Sequence, residues 1–465
     1  MVELQPILDS TNGTPLYMQL YTYIKEEIAN GHLKKGSKLP SIRVLSQHLA
    51  ISKTTVETAY QQLLAEGYIE SKPRVGFIVQ DLEEPLAPQV PQIDVLAEAP
   101  KTNPIRYNFR YGHIDPDHFP LKTWRKCLLA AMDAERSEWL WYGDRQGDID
   151  LREEIQRYLY HARGIHCSPE QIVIGSGTPQ LIGLLCQLFD FRHDVVALEN
   201  PCYNVIRTVF QNHHFSILPI ELEEDGLNID QLQATNAKVV YVTPSHQLPL
   251  GMVLPIGKRQ KLLKWVQQSN GFIIEDDYDS EFRYGNKPIP ALKALDTEDR
   301  VVYVGTFSKV FTPAIRASYM VLPQRLLARF YERCANYHQT VATIVQKSLA
   351  LFMREGHFER HIRRMRTIYA KKRQALIGAI REHFGDQATI IGDKAGLHLL
   401  VEIKGKDAAE LVQKAEKAGI LVYSAAKYWF GNDETPPPYL LLGFGGMSEK
   451  DIRAGIRELK QVWEI

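Results

Sequence analysis

The chain has 465 residues, enough for about three domains at roughly 150 residues each, and its 45% apolar and 24% charged content is that of an ordinary globular protein with room for a large core. Its 55 Lys and Arg balance 55 Asp and Glu, so no global field draws it to nucleic acid or to a membrane surface, and any DNA binding must come from a local patch. Five scattered cysteines (Cys127, Cys167, Cys186, Cys202, Cys334) lack CxxC spacing and their odd number argues against a disulfide framework; with no secretory pattern in "MVELQPILDS" and no run of ~18 apolar residues, the expected location is the cytoplasm, without a membrane span.

Residues 1–80 read as one unit. Leu16, Leu20, Ile24 and Ile28 recur every four residues and predict an amphipathic helix that stops at Asn30-Gly31. "LPSIRVLSQHLA" predicts a short second helix with Pro40 at its start, and Ser52 is placed to cap a third, on which Val56, Ala59, Tyr60 and Leu63 share a face. "GYIESKPRVGFIV" predicts two short strands around a Pro/Gly turn, completing the plan of a winged helix-turn-helix. A recognition helix needs short polar side chains and cations in its first turn, where base edges are reached; Ser52, Lys53, Thr54 and Thr55 stand there, with Arg43 on the preceding helix and Lys72, Arg74 and Gly76 in the wing. A helical protein-interaction module is the alternative. The stretch "GSKLPSIRVLSQHLAISKTTVETAYQQLLAEGYIESKPRVGFIV" resembles the DNA-binding domain of the GntR family of bacterial repressors, which implies operator DNA as a partner. That family often has Arg where this chain has Lys53, and lysine lacks the planar fork that reads guanine.

Residues 81–105 change in composition, with Pro85, Pro88, Pro91, Pro100 and Pro104 among acidic residues, and predict an extended linker. Residues 106–465 then alternate strands and helices. "VVALEN", "KVVYVTP", "GFIIEDD", "RVVYVG" and "ASYMVL" are near-continuous apolar runs, expected of strands buried on both faces, and "GKRQKLLKWVQQSN" is a helix between two of them. The fold class is α/β: a mostly parallel sheet with ligands at the carboxyl ends of its strands, and a smaller lobe from roughly Arg364.

Four strand ends carry chemistry. "IGSGTPQ" opens a helix at Ser176, Gly177 and Thr178, where N–H groups hold a phosphate or simply form an ordinary cap. "ENPCYNVIR" presents Tyr203, which either stacks on a ring or is a surface aromatic. "GFIIEDDYDSEF" ends on Asp276, Asp277 and Tyr278: two carboxylates for a metal, or one for a protonated heterocycle. "GTFSKVFTPAIR" supplies Ser308, Lys309 and Arg316, a lysine for Schiff-base chemistry and an arginine that clamps a phosphate. His357 and His361 flank Glu359 in the wrong order for a zinc motif, and no metal is expected. Lysine, acid and anion cradle together are the protein's part in pyridoxal 5′-phosphate chemistry.

"YGDRQGDIDLREEIQRYLYHARGI", "SGTPQ", "TPSHQLPLGMVLP", "EDDYDSEFRY" and "GTFSKVFTPAIR" resemble the MocR regulators, GntR-type proteins fused to a fold-type I aminotransferase-like domain. The resemblance implies that Lys309 forms the Schiff base, Asp276 pairs with the pyridine nitrogen and Tyr278 approaches the ring hydroxyl. It further implies that Arg316, Ser308 and Ser176–Thr178 hold the phosphate, and that Tyr142 reaches the phosphate of a partner subunit in a homodimer. The chain departs from the family where a carboxylate-binding arginine usually stands, at Leu441, and where aminotransferases carry Asn, at Leu248; Pro179 replaces the commoner Gln. Leucine cannot bind a carboxylate, so Arg207 is the candidate effector contact, with a structural role as its alternative. The expected function is a transcriptional regulator whose effector is an amine or pyridoxal phosphate itself. A working aminotransferase with a DNA-binding appendage is the rival.

Overall fold

The computed structural model describes residues 4–11, 13–81, 104–134, 140–189, 195–284, 289–431 and 436–465. The chain divides into two units, Met1–Pro100 and Lys101–Ile465. Residues 82–103, nearly all of the expected linker, lie outside the described residues.

In the first unit, α1 (Leu16–Ala29) buries Leu20, Ile24 and Ile28 and ends where the Asn30 N–H returns to the Glu26 carbonyl. The second helix, α2 (Ile42–His48), is capped by Ser41, whose hydroxyl accepts the Val44 N–H at 3.3 Å. Pro40 therefore stands outside the cap instead of opening the helix; its carbonyl accepts the buried Tyr60 hydroxyl at 2.9 Å. Helix α3 (Lys53–Ala65) is capped as expected, Ser52 accepting the Thr55 N–H at 3.0 Å, and it buries Val56, Ala59, Tyr60 and Leu63. Strands β1 (Ile69–Lys72) and β2 (Gly76–Val79) pair antiparallel from Ile69↔Val79 to Lys72↔Gly76. Arg74 (φ 64°) and Gly76 (φ 109°) take the positive φ values that fold the wing tightly.

The second unit begins with β3 (Tyr107–Asn108), α4 (Leu121–Ala134), α5 (Ile149–Arg163), β4 (Ile172–Gly175), α6 (Thr178–Leu188), β5 (Val195–Asn200) and α7 (Asn204–Asn212). It continues through β6 (Ser216–Glu223), β7 (Gly226–Leu227), α8 (Ile229–Gln233), β8 (Val239–Val242), α9 (Ile256–Ser269) and β9 (Phe272–Asp277). Next come β10 (Val301–Thr306), β11 (Ser318–Val321), α10 (Gln324–Arg333), α11 (Thr343–Arg354) and α12 (His357–Phe384). The chain closes with β12 (Ala388–Ile391), β13 (His398–Ile403), α13 (Ala408–Lys417), β14 (Ile420–Leu421), β15 (Tyr423–Ser424), β16 (Tyr439–Gly443) and α14 (Glu449–Trp463).

Eight strands form one mixed sheet in the order β4-β11-β10-β9-β8-β5-β6-β7. From β10 to β6 neighbours run parallel, whereas β11 pairs antiparallel with both β10 and β4. Strands β8, β9 and β11 are buried at every residue, which is why their sequences lack period-two alternation. The smaller lobe is an antiparallel sheet, β12-β13-β16-β15, packed with α12 and α14; its long helix starts at His357, seven residues before the expected Arg364.

The Ser52 hydroxyl holds the start of α3 through the Thr55 amide and the Thr55 hydroxyl. Ser52→Ala should cost about 1 kcal/mol and lower the urea midpoint of the first unit's unfolding transition in the full chain. An unchanged midpoint would show that the cap contributes nothing to that unit.

Candidate functional site

Strand register brings the site together. In the parallel pair, Val304 lies opposite Asp276 and Gly305 opposite Asp277, so the segment leaving β10 carries Ser308 and Lys309 past the end of β9. The antiparallel pair sets Ser318 opposite Gly175, which leads back to Arg316 beside Ser176 and Gly177. Arg316 donates from Nη2 to the Ser176 carbonyl at 2.8 Å. A cavity of about 490 Å³ opens at these strand ends; its wall includes Gly177, Thr178, Tyr203, Asp276, Tyr278, Ser308, Lys309 and Arg316.

The two adjacent acids of β9 point to opposite faces, as strand alternation requires. Asp277 turns away and is held by Arg163 at 2.7 Å and by the Tyr303 hydroxyl at 2.7 Å. Asp276 turns into the cavity. Its Oδ2 accepts the Tyr241 hydroxyl, and its buried Oδ1 has no hydrogen-bond partner among the described residues. Burial pushes its carboxyl up to about 7, opposed by the Tyr241 hydrogen bond. A group with one satisfied and one orphaned oxygen fits a ligand that brings its own N–H donor.

At the opposite end, Gly177 (φ 128°) caps α6, and a Cβ there would stand 2.4 Å from Arg316 Nη2, so only glycine admits the guanidinium. Pro179 in the first turn has no N–H, which leaves the Gly177 and Thr178 amides as the open donors beside Arg316. Ser176 is outside the cavity wall: its N–H is taken by Gln180 at 3.2 Å and its carbonyl by Arg316. Between the two ends, the Tyr203 hydroxyl is raised by burial first, then by Asp276, and is lowered by Arg316, so this ring feels both.

Lys309 is enclosed by the residues the chain alternation could not show. Its Nζ lies 3.8 Å from the Tyr111 ring centroid, and loss of hydration lowers its pKa to about 8, opposed by the charge of Asp279. A second cleft of about 280 Å³ shares Arg110, Tyr111, Tyr203 and Lys309 with the first and adds Lys427, Tyr428 and Leu441. Leu441, 2% exposed, packs with Leu248 and Tyr278 in one small apolar cluster. Arg207 is in neither wall. It donates to the carbonyls of Trp429 (3.0 Å) and Lys427 (3.3 Å) and lies over Phe430. Tyr142 is 85% exposed, stacks on His338 and does not line the cavity of its own chain.

His357 and His361 do not converge: His357 bonds Glu355 at 2.9 Å, while His361 is buried near Phe311 and burial pushes it down to about 4. Among the described residues, Cys127, Glu355 and His357 are the one group with metal-compatible spacing, remote in sequence from the cavity residues. In the first unit, Arg43, Lys53, Thr54, Lys72 and Arg74 are exposed. Ser52 and Thr55 bond each other at 2.8 Å, Lys72 rests 2.5 Å from Glu70, and a Cβ on Gly76 would meet Lys38 Cε at 3.5 Å.

A winged helix-turn-helix joined to an α/β unit with a lysine, a buried acid and an anion cradle at its strand ends defines a DNA-binding protein built on an aminotransferase-type scaffold. Residues 16–79 match the family of bacterial regulatory proteins, gntR family, and residues 112–457 match aminotransferase class I and II. The chain is 41% identical to the uncharacterized HTH-type transcriptional regulator YdeL of Bacillus subtilis, over 100% of both chains. It is 30% identical to the probable rhizopine catabolism regulatory protein MocR of Rhizobium meliloti, covering 98% of this chain and 95% of that one. Among solved structures, the kynurenine aminotransferase of Pyrococcus horikoshii superposes with a TM-score of 0.70 at 26% identity, covering 78% of this chain and 91% of that chain. This chain belongs to the MocR subfamily of GntR-type transcriptional regulators, whose second domain is of aminotransferase class I and II.

Because the unfolded chain holds a proton on Lys309 up to the ordinary value of about 10.4 and the folded chain releases it near 8, stability from this group rises with pH between the two. In ligand-free protein with 13C-methylated lysines, one resonance should titrate near 8 and vanish in Lys309→Met. A spectrum with every lysine titrating above 10 would overturn the assignment.

Proposed function

We propose that this protein binds operator DNA through the first turn of α3 and the wing, and senses a small amine, or pyridoxal 5′-phosphate itself, in the cavity at Lys309. The observation that carries the reading is one cavity lined by Lys309, by Asp276 with its orphaned oxygen, and by Arg316 against Gly177. These residues fit pyridoxal phosphate: Asp276 Oδ1 would accept a ring N–H, Tyr203 would face the ring, and Arg316 with the amides of Gly177 and Thr178 and the Ser308 hydroxyl would hold the phosphate. When bound, the cofactor supplies an electrophilic carbon that amines attack. Lys309, with its pKa lowered to about 8, keeps a much larger neutral, nucleophilic fraction near physiological pH than an ordinary lysine does.

Leu441 and Leu248 form an apolar wall where an α-carboxylate contact would be needed, which weighs against ordinary transamination. With Arg207 engaged by backbone carbonyls, Arg110 and Lys427 are the cations available to an anionic effector. Tyr142, exposed and not part of its own cavity wall, serves the cavity of a second copy in a homodimer.

Lys309→Ala should abolish the covalent, borohydride-reducible attachment of pyridoxal phosphate; an adduct surviving at full yield would sink the reading. On the DNA side, Lys53→Ala should weaken binding to the protein's own upstream DNA and reduce the slope of log affinity against log salt by about 1. A slope left intact would remove Lys53 from the interface. Titrating pyridoxal phosphate alone into the DNA-bound protein separates the two effector classes: a change in DNA affinity makes it the signal, and no change directs the search to amines.

A further inference from the structure

Behind the cavity wall lies a buried polar group that neither the anion cradle nor Asp276 uses. His246 faces two partners with one nitrogen: Nδ1 is 2.8 Å from Asp279 Oδ1 and 3.1 Å from the Tyr278 hydroxyl. All three residues are buried. The backbone is shaped around them, because a Cβ on Gly396 (φ 72°) would stand 2.2 Å from His246 Cε1 and 2.5 Å from Asp279 Oδ2.

A carboxylate accepts hydrogen bonds and cannot donate them, so the hydrogen between His246 and Asp279 belongs to Nδ1, whether the imidazole is neutral or cationic. The same N–H meets the Tyr278 oxygen, which must therefore act as acceptor on that side. A phenolic hydrogen lies in the plane of its ring in one of two positions, and the position toward His246 is blocked. Tyr278 lines the cavity, where its hydrogen remains free for an acceptor. We propose that Asp279 and His246 are positioning residues that hold the Tyr278 hydroxyl as a hydrogen-bond donor toward the bound cofactor's phenolic oxygen. The proposal rests on the reading of this cavity as a pyridoxal phosphate site.

The groups facing Tyr278 are Asp279, Tyr111, Asp276 and Tyr241; Lys309 faces Asp279, and His398 lies with its ring centroid 5.4 Å from that of His246. Burial pushes His398 down to about 3, so it stays neutral in the range of interest. Loss of Asp279 has two opposed consequences. Removing its charge lowers the proton affinity of a nearby cation. Freeing His246 Nδ1 to accept the Tyr278 hydrogen removes a donor from the phenolic oxygen and raises the proton affinity of the cofactor chromophore.

The experiment is a pH titration of the visible absorption band of the pyridoxal phosphate-loaded full chain, with Asp279→Ala made in three backgrounds: unmodified, Tyr278→Phe and His246→Phe. With Tyr278 and His246 present, the substitution should leave the proton affinity about tenfold higher than it does in either other background, the worth of one hydrogen bond to a charged group. Both other backgrounds should show only the downward effect of lost charge. Equal shifts in all three would overturn the proposal, and a fold defect in one background leaves the other as the comparison. If the unmodified chain forms no Lys309-dependent band, the cofactor reading itself fails, which is a separate result from equal shifts.

Discussion

One strand reversal organises the second unit. Strand β11 runs against its neighbours on both edges, bonded antiparallel to β10 and to β4, beside the parallel run from β10 to β6. A parallel neighbour would begin at the far edge of the sheet; an antiparallel one begins at the edge where β10 ends. The short excursion from Thr306 to Ser318 therefore stays on the functional edge, and Lys309 and Arg316 occupy it together. The Ser318↔Gly175 register then fixes the distance from Arg316 to the start of α6. A slip of one residue would turn every side chain of β11 to the opposite face and separate the guanidinium from Gly177.

What was legible in the sequence follows from how local each signal is. The buried strands announce themselves as apolar runs; Asp276, Tyr278 and Lys309 stand at or after the ends of two of them, whereas Arg316 stands just before "ASYMVL" and shares their sheet edge because β11 is antiparallel. Strand alternation marked Asp276 and Asp277 as pointing opposite ways, and only the family resemblance said which faces the ligand; Arg163 and Tyr303, which hold the second acid, come from distant segments. Residues that approach from elsewhere carried no local mark. Tyr241 sits inside the expected strand "KVVYVTP" with nothing to mark it as polar chemistry, Tyr111 precedes the first helix of the unit, and His246 looks like one polar residue in a loop. Arg207 shows the converse: a guanidinium beside a functional tyrosine is suggestive in sequence, yet its hydrogen bonds go to carbonyls about 220 residues away. Pro40 stands two positions before the first residue of α2, because the serine after it accepts a free amide of the helix and becomes its cap. Ser176 was placed in the cradle by its neighbours, but its own polar backbone atoms are already used.

Two of the departures from the family pattern prove to be one feature, since Leu248 and Leu441 share a cluster with Tyr278. Replacing either one alone with a polar residue would bury an unpaired group against the other; the pair is self-consistent as an apolar surface. Its consequence concerns what the protein ignores. A carboxylate pressed against the two leucines alone sheds its hydration and gains no donor from them, a penalty of several kcal/mol that greater abundance repays only logarithmically. On the function proposed above, this surface selects by exclusion: an α-carboxylate reaches a donor only by turning from the leucines toward Arg110 or Lys427.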